Sequence, residues 1–149
     1  MDAGSPRTTR RATAADIPAM RAIFRAHGDD APPVPGGADV TGPYLAHLVA
    51  RHRVLVVEEG PRVVAFGATL DTGRTRMLCD LFVTPERLGA GIGRPLLAAL
   101  YEDAPVRATF SSDDPRALPL YVRAGMTPLW VNLYLEGLPG RLPDRLSPL

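Results

Sequence analysis

Three glycines at alternate positions, Gly89, Gly91 and Gly93, have the type and spacing to bind an anion. Glycine carries no Cβ, so the main-chain amides of this stretch can approach a ligand closely. Residues 78–83 are mostly apolar and favour a strand, and the apolar residues within 92–101 have the spacing of one helix face. The N-terminus of that helix would direct its partial positive charge at the same point. The sequence therefore predicts a phosphate or pyrophosphate cradle between a buried strand and a buried helix.

The composition excludes two common kinds of anion site. All 17 basic residues are arginines, so a Walker-type nucleotide site lacks its lysine, and Gly93 is followed by Arg94 and Pro95 instead. Schiff-base chemistry is excluded for the same reason. The dinucleotide fingerprint GxGxxG also fails, because the third glycine comes one residue early.

Residues 81–97, LFVTPERLGAGIGRPLL, resemble the acetyl-CoA-binding segment of the GNAT superfamily of N-acetyltransferases, roughly L-x-V-x-P-x-x-[QR]-G-x-G-[IV]-G-x-x-L-L. Two positions depart from it: Leu88 replaces the Gln or Arg, with Arg87 one residue early, and Pro95 lies in the first turn of the helix. The family binds the pyrophosphate mainly through main-chain amides. We therefore expect Leu88 to reduce the side-chain support of the turn more than it reduces anion binding. The cofactor-binding residues implied by the resemblance are Phe82, Val83, Thr84, Leu88, Gly89, Ala90, Gly91, Ile92, Gly93, Arg94 and Asp114.

A second stretch, residues 112–126, resembles the family's N-x-x-A-x-x-L-Y-x-x-x-G-F helix. Asp114 stands at the Asn position and favours an N-cap, with Pro115 as the first helical residue and Gly125 as the stop. Pro119 should kink this helix or shorten it to little more than one regular turn. The resemblance makes Tyr121 the acid that protonates the leaving thiolate; the alternative is an aromatic side chain that packs on the sheet.

The sequence leaves the general base open. Asp80 is the only ionisable residue of its strand segment and alternates with Leu78 and Phe82, so we expect all three on one face; partial burial would raise its pKa. The alternative is that Asp80 faces a polar edge or caps a neighbouring main-chain group. Glu58 is a second strand carboxylate, and Asp29 and Asp30 are expected to attract a cationic substrate. His27, His47 and His52 are expected to lie on the surface or at helix C-termini, where they interact with the helix dipole.

The periodicity predicts alternating strands and helices around these motifs. The predicted strands are 8–12, 54–58, 63–70, a third meander strand carrying residues 79–83, 106–111 and 129–136, and the predicted helices are 14–27, about 41–52, one reaching Tyr101 and one ending at Gly125. The resemblance implies an α/β fold with a mixed, mostly antiparallel sheet of six to seven strands, about four helices, and a parallel strand pair that splays at the cofactor site. We expect a single domain over 1–149, with 1–6 disordered and 138–149 a tail or linker.

Net charge and composition limit the classes of partner and the location that the sequence predicts. The net charge of +1 gives no electrostatic case for nucleic acid or a membrane surface. The single cysteine, Cys79, lies in an apolar strand segment and is expected to be a buried thiol. Without a secretory h-region or a long apolar run, the sequence predicts a cytoplasmic protein, and the arginine-only usage is typical of a GC-rich bacterial genome.

The resemblance implies an acetyl-CoA-dependent enzyme that transfers an acetyl group directly to a primary amine of a small molecule, peptide or protein. The alternative is a non-catalytic CoA-binding module or one half of a tandem acetyltransferase. Trp130 and Tyr134 suggest a homodimer through the last strand and tail. The sequence does not identify the acceptor, because fold-level resemblance does not specify a substrate.

Overall fold

The computed structural model of the protein describes residues 6–28, 40–112 and 114–131. Within these ranges the chain forms five strands and four α-helices. The strands are β1 (Arg7–Arg11), β2 (Arg53–Glu59), β3 (Arg62–Thr72), β4 (Thr75–Val83) and β5 (Val106–Thr109), and the helices are α1 (Ile17–Arg25), α2 (Thr41–Arg51), α3 (Gly93–Leu100) and α4 (Ala117–Arg123). None of the helices in these ranges is long and apolar enough to cross a membrane.

The strands form one sheet in the order β1-β2-β3-β4-β5. Neighbouring strands are antiparallel except β4 and β5, which pair in parallel from Thr75↔Val106 to Leu78↔Thr109. Beyond Leu78, β4 continues to Val83 along β3 alone, so the parallel pair separates there. The predicted fold class is confirmed, with five strands in the described residues instead of six to seven.

The predicted last strand is not seen where it can be checked. Residues 129–131 lie outside any strand, and the remainder of the predicted 129–136 segment, with Tyr134, falls outside the described residues. The same holds for Asp29, Asp30 and the 138–149 tail.

Helices cover both faces of the sheet and so bury a core on each side. On one face, α1 and α2 pack on the sheet through Met20, Ile23, Leu45, Leu48, Val54, Val56, Phe66 and Ala68. On the other face, α3 packs through Leu55, Val57, Val64, Ala65, Leu78, Leu96, Leu97, Leu100 and Tyr101. Gly67 permits the close approach of α3, because a Cβ there would lie 2.5 Å from Leu100 Cδ1. The predicted apolar stripe of α3 is therefore confirmed as a core face.

A bulge at Cys79 changes the register of β4. Ala68 pairs with Asp80 while Thr69 pairs with Leu78, so Cys79 is the extra residue opposite β3. Leu78 consequently packs with α3, whereas Asp80 lies on the α2 side. The prediction that Leu78 and Asp80 share a face was wrong, and so was that of a buried thiol, because Cys79 is exposed at the bulge.

Two arginines satisfy the C-terminal carbonyls of α3, which have no partner within the helix. Arg53 Nη2 donates to Ala99 O at 2.8 Å, and Arg76 Nη1 donates to Leu100 O at 3.3 Å and, just beyond the helix, to Glu102 O at 2.7 Å. The buried Tyr101 hydroxyl, directly after the helix, donates to Ala108 O of β5 at 2.7 Å. These bonds fix the helix that follows the glycine turn against both parallel strands.

The start of α4 differs from the prediction. The helix begins at Ala117 with Arg116 at the N-cap, so Asp114 and Pro115 lie before it. Asp114 Oδ1 instead accepts the Arg116 N–H at 2.8 Å and forms a turn that leads into the helix. Pro119 then becomes the third helical residue, where its missing N–H has no helical partner to lose, and the seven-residue helix continues about two turns.

Gly125 ends α4 as predicted. Its φ is +83°, a conformation that glycine adopts without steric cost. The Gly125 N–H donates to Val122 O at 3.0 Å and the Met126 N–H to Tyr121 O at 3.1 Å, which is the Schellman pattern. This stop sets the position of Tyr121 on the last turn of the helix.

Candidate active site

A cleft of about 550 Å³ opens at the separation of β4 from β5. Its walls come from the end of α1, the end of β4, the glycine turn, the start of α3, and α4 with the segment before it. The predicted site residues that line it are Phe82, Val83, Leu88, Gly89, Gly91, Ile92, Gly93, Arg94, Asp114 and Tyr121. Asp80, Thr84 and Ala90 do not line it. The sequence motifs therefore meet in one cleft, although they are about thirty residues apart in the chain.

Two of the three glycines adopt backbone conformations that require glycine. Gly89 has φ +79° and Gly91 has φ +75°, and a Cβ at either position would meet no atom within 4 Å. Gly93 has ordinary helical geometry, and a Cβ there would make normal contact with Leu120 at 3.8 Å. The space in front of Gly89 and Gly91 is therefore open, and their conformation, not neighbouring atoms, excludes other residues.

The main-chain amides of the turn are not equally available. The Leu88 N–H donates to Pro85 O at 3.2 Å and the Ala90 N–H to Arg87 O at 3.1 Å. Among the described residues, no acceptor is found for the amides at Gly89, Gly91, Ile92 and Gly93. The free donors therefore alternate with bonded ones and then run into the N-terminus of α3, where the helix dipole also favours an anion.

Arginines make the cleft cationic. Arg87, Arg94, Arg116 and Arg123 line it, and Asp114 is the single carboxylate among its described lining residues. Arg116 pairs with Asp114 at 2.7 Å and lowers the pKa of that carboxyl to about 2. In the described parts of the chain, Arg94 and Arg123 have no acidic partner. The cleft therefore suits a ligand that carries several negative charges.

His27 lies at the cleft, which the sequence did not predict. It follows α1, and its Nε2 is 2.6 Å from Val83 O. Because a carbonyl only accepts, Nε2 carries the proton and donates. The imidazole also lies against Phe82, with ring centroids 5.5 Å apart and the ring planes tilted by 42°. A helix-end histidine can be identified in the sequence, but its contact with the last residue of β4 depends on how α1 crosses the sheet.

Tyr44 is a second residue whose contact at the site the sequence did not predict. Its hydroxyl, on α2, donates to Asp80 Oδ2 at 2.7 Å. Asp80 is only 7% exposed, and burial raises the pKa of its carboxyl, while the hydrogen bond from Tyr44 opposes that shift. Burial, with the Asp80 bond second, also raises the pKa of the Tyr44 hydroxyl, which keeps it protonated as a donor. The pair lies on the α2 side of β4, beside the Cys79 bulge.

Tyr121 faces the cleft from the other side of the sheet. It packs partly against the core under α3, and burial raises the pKa of its hydroxyl, partly offset by a hydrogen bond with Thr109. Thr109 is the last residue of β5 that pairs with β4. Tyr121 thus lies next to the point where the parallel strands separate.

Strand alternation determines which amide of β4 faces the cleft. The Thr84 N–H donates to Val64 O at 2.8 Å, so it points toward β3 and is already bonded. Successive residues of a strand direct their peptide groups to opposite sides. The Val83 amide therefore points away from β3, toward the side that β5 has left.

Comparisons with known proteins agree with this geometry. The model of the acetyltransferase (GNAT) domain family matches residues 50–127, just over half of the chain. No curated protein matches the sequence at a significant level.

Solved structures share the fold over most of the chain. A Salmonella typhimurium protein assigned as an acetyltransferase and solved with its cofactor acetyl-CoA is 27% identical, with a TM-score of 0.64 over 81% of this chain and 79% of that one. The ribosomal-protein-alanine N-acetyltransferase from Brucella melitensis is 26% identical, with a TM-score of 0.63 over 79% and 83%. Glucosamine-6-phosphate N-acetyltransferase from Arabidopsis thaliana is 11% identical, with a TM-score of 0.65 over 89% and 99%, and shows likeness of fold alone. The chain belongs to the GNAT acetyltransferase family, whose co-substrate is acetyl-CoA.

Proposed function

We propose that this protein is an N-acetyltransferase that transfers the acetyl group of acetyl-CoA directly to a primary amine of a small molecule, peptide or protein. The observation that carries the proposal is the row of free amides at Gly89, Gly91, Ile92 and Gly93, which opens into the cleft where β4 and β5 separate. A diphosphate at these amides would leave the thioester end of the ligand free to extend along the exposed edge of β4.

The binding residues have distinct roles in this proposal. The four free amides and the α3 N-terminus bind the diphosphate. Arg94 and Arg123 have no acidic partner in the described residues, so they can attract the phosphate that CoA carries on its ribose in addition to the diphosphate. Of the residues implied by the family motif, Leu88, Ala90 and Thr84 contribute by shaping the turn, because their amides are already bonded.

Acetyl-CoA supplies an activated acyl group. The protein polarises the thioester carbonyl and protonates the leaving thiolate. The Val83 amide is the candidate donor to the thioester carbonyl, where negative charge develops during attack by the amine. Tyr121 is the candidate acid for the leaving thiolate. Its raised pKa keeps the hydroxyl protonated near neutral pH, and a thiolate in the same poorly solvated cleft is itself a stronger base than in water.

Asp80 is the candidate base, acting with Tyr44. Its raised pKa brings the carboxylate closer to the range useful for accepting a proton from an ammonium group. It lies on the α2 side of β4 and not on the cleft wall, so the acceptor amine would approach from that side. The bulge at Cys79 is what turns Asp80 toward α2.

A second function, CoA binding without catalysis, is favoured by one observation: Asp80 does not line the cleft that Tyr121 lines. Incubation with acetyl-CoA and a panel of primary amines, with release of free CoA as the readout, separates the two. The panel should include peptides with N-terminal alanine, since one relative is a ribosomal-protein-alanine N-acetyltransferase. Turnover with any amine supports the enzyme; tight acetyl-CoA binding with no turnover across small amines and peptides supports the binding module.

A further inference from the structure

The glycine turn is tied to the first strands of the sheet by a charged network of Arg7, Glu59, Arg87 and Ala90, here called the turn network. Glu59 Oε1 accepts Arg7 Nε at 3.1 Å, and Glu59 Oε2 accepts Arg87 Nε at 2.6 Å. Arg7 Nη1 donates to Ala90 O at 3.0 Å. One carboxylate at the end of β2 therefore holds an arginine of β1 and an arginine of the turn at the same time.

These contacts determine the direction of one amide. A peptide unit is planar and trans, so its C=O and N–H point in opposite directions. Arg7 holds the Ala90 carbonyl, and the N–H of that same peptide unit belongs to Gly91. Gly91 lines the cleft and Ala90 does not. By holding the carbonyl outside, Arg7 keeps the Gly91 amide directed into the cleft.

The turn needs this support because of its sequence. The position where the family motif carries Gln or Arg is Leu88, whose side chain cannot donate a hydrogen bond. Gly91, with φ +75°, has no Cβ to restrict the peptide on either side of it. Arg87, displaced by one residue from the motif, reaches Glu59 instead. Arg7 lies outside residues 50–127, so the family match does not include this support.

We propose that Glu59 is a positioning residue for the diphosphate-binding turn, acting through Arg7 and Arg87 to orient the Gly91 amide. The inference rests on the proposed CoA-binding function. It is distinguishable from a simple charge effect, because the two make opposite predictions. CoA is a polyanion, so removing the negative charge of Glu59 should strengthen binding by electrostatics alone. Loss of the turn network should weaken it.

The test measures the Kd of CoA by calorimetry for the whole chain, four single variants and one double variant. Glu59→Gln and Arg7→Gln should each weaken binding about tenfold, the effect of misdirecting one amide hydrogen bond to a charged group. The controls carry the same charge changes at ion pairs that are not part of the turn network: Asp71→Asn, whose partner is Arg76, and Arg62→Gln, which stands opposite Glu59 on β3 but pairs with Glu86. Both controls should stay within twofold of the wild type.

Two further measurements test the inference. Dephospho-CoA, which keeps the diphosphate, should show the same loss as CoA, and the Arg7→Gln/Glu59→Gln double variant should lose no more than Glu59→Gln alone, because both residues act on one peptide. Equal or tighter CoA binding by Glu59→Gln overturns the inference. If Glu59→Gln does not unfold cooperatively, Arg7→Gln decides, and equal losses in Arg7→Gln and Arg62→Gln overturn it. Failure of the wild type to bind CoA would instead refute the proposed function.

Discussion

The Tyr44 hydroxyl of α2 donates a 2.7 Å hydrogen bond to Asp80 Oδ2 on β4, across the face of the sheet opposite α3. The bond stabilises the charged form of a carboxyl whose pKa burial raises, and the raised value indicates that burial outweighs the bond. Among the described residues Asp80 has one hydrogen-bond donor, and burying a carboxylate with so few partners lowers the stability of the folded state. Such sites are typical of functional residues.

Asp80→Asn should therefore stabilise the protein at neutral pH. A carboxyl with a raised pKa binds its proton more tightly in the folded state, so its contribution to stability falls as pH rises from the unfolded value, about 4, through the folded value. The amide has no charge to bury and its oxygen can still accept from Tyr44. We expect a melting temperature a few degrees higher at pH 7.5 and little different at pH 3.5, with loss of acetyl transfer.

Asp16→Asn is the matched control with the opposite sign. Asp16 is equally buried, but Arg10 holds both of its oxygens, at 2.7 and 2.8 Å, and lowers the pKa of its carboxyl. Its stabilisation is present above the unfolded pKa and lost in acid, so this variant should lose about 1–3 kcal/mol at pH 7.5 and less at low pH. Destabilisation of both variants at pH 7.5 would contradict the conclusion that burial of the Asp80 carboxylate destabilises the folded state.

Tyr121→Phe should separate catalysis from binding. If the hydroxyl protonates the thiolate, the acetyl-transfer rate should fall roughly a hundredfold or more, while the Kd of acetyl-CoA stays within about twofold because the ring remains in place. Stopped-flow detection of free thiol and calorimetry measure the two quantities. An unchanged rate would assign Tyr121 to packing only.

Gly91→Ala and Gly93→Ala form a matched pair within the turn. At Gly91, φ +75° places alanine in the left-handed region, which costs about 1–2 kcal/mol and shifts the amide that faces the cleft. At Gly93, a helical residue with room for a methyl group, alanine should be neutral or stabilise by up to about 1 kcal/mol. Gly91→Ala should lower both the melting temperature and the affinity for acetyl-CoA, and Gly93→Ala should lower neither. Equal effects of the two substitutions would contradict the left-handed conformation of Gly91.

Cys79 should not carry the acetyl group. Cys79 is exposed at the bulge, but partial desolvation of the thiol and the charge of Asp80 raise the pKa of Cys79. The thiol is therefore a poor nucleophile at neutral pH. Cys79→Ser should therefore keep at least about half of the wild-type rate. Mass spectrometry during turnover should find no acetylated Cys79. An acetyl-enzyme that forms and decays at the rate of turnover would refute direct transfer.

The parts of the fold that are local in sequence were predictable. The spacing from Ile92 to Tyr101 identified the buried face of α3, and the glycine pattern identified the turn, because helix periodicity and backbone permissiveness are properties of a few adjacent residues. Gly125 was predictable as a helix stop for the same reason.

Features that depend on a second element were not predictable. The bulge at Cys79 is defined by the pairing of β4 with β3. The β4 sequence alone therefore predicted, wrongly, that Asp80 lies on the same face of the sheet as Leu78. The contacts of His27 with Val83 and of Tyr44 with Asp80 depend on where two helices cross the sheet. Asp114 satisfied the preferences of an N-cap, but Pro119 is better tolerated in a first turn, and the helix starts later as a result.

The most direct test of the central claim is calorimetric titration of acetyl-CoA into the wild-type protein, with the Gly91→Ala variant alongside. We expect one site per chain that dephospho-CoA competes for, weakened about tenfold or more in the variant. At a ligand concentration of about a hundred times Kd, the native state should gain roughly 2.7 kcal/mol, which is a rise of several degrees in Tm. If neither acetyl-CoA nor CoA binds at millimolar concentration, the glycine turn is only a connection between a strand and a helix, and the proposed function is wrong.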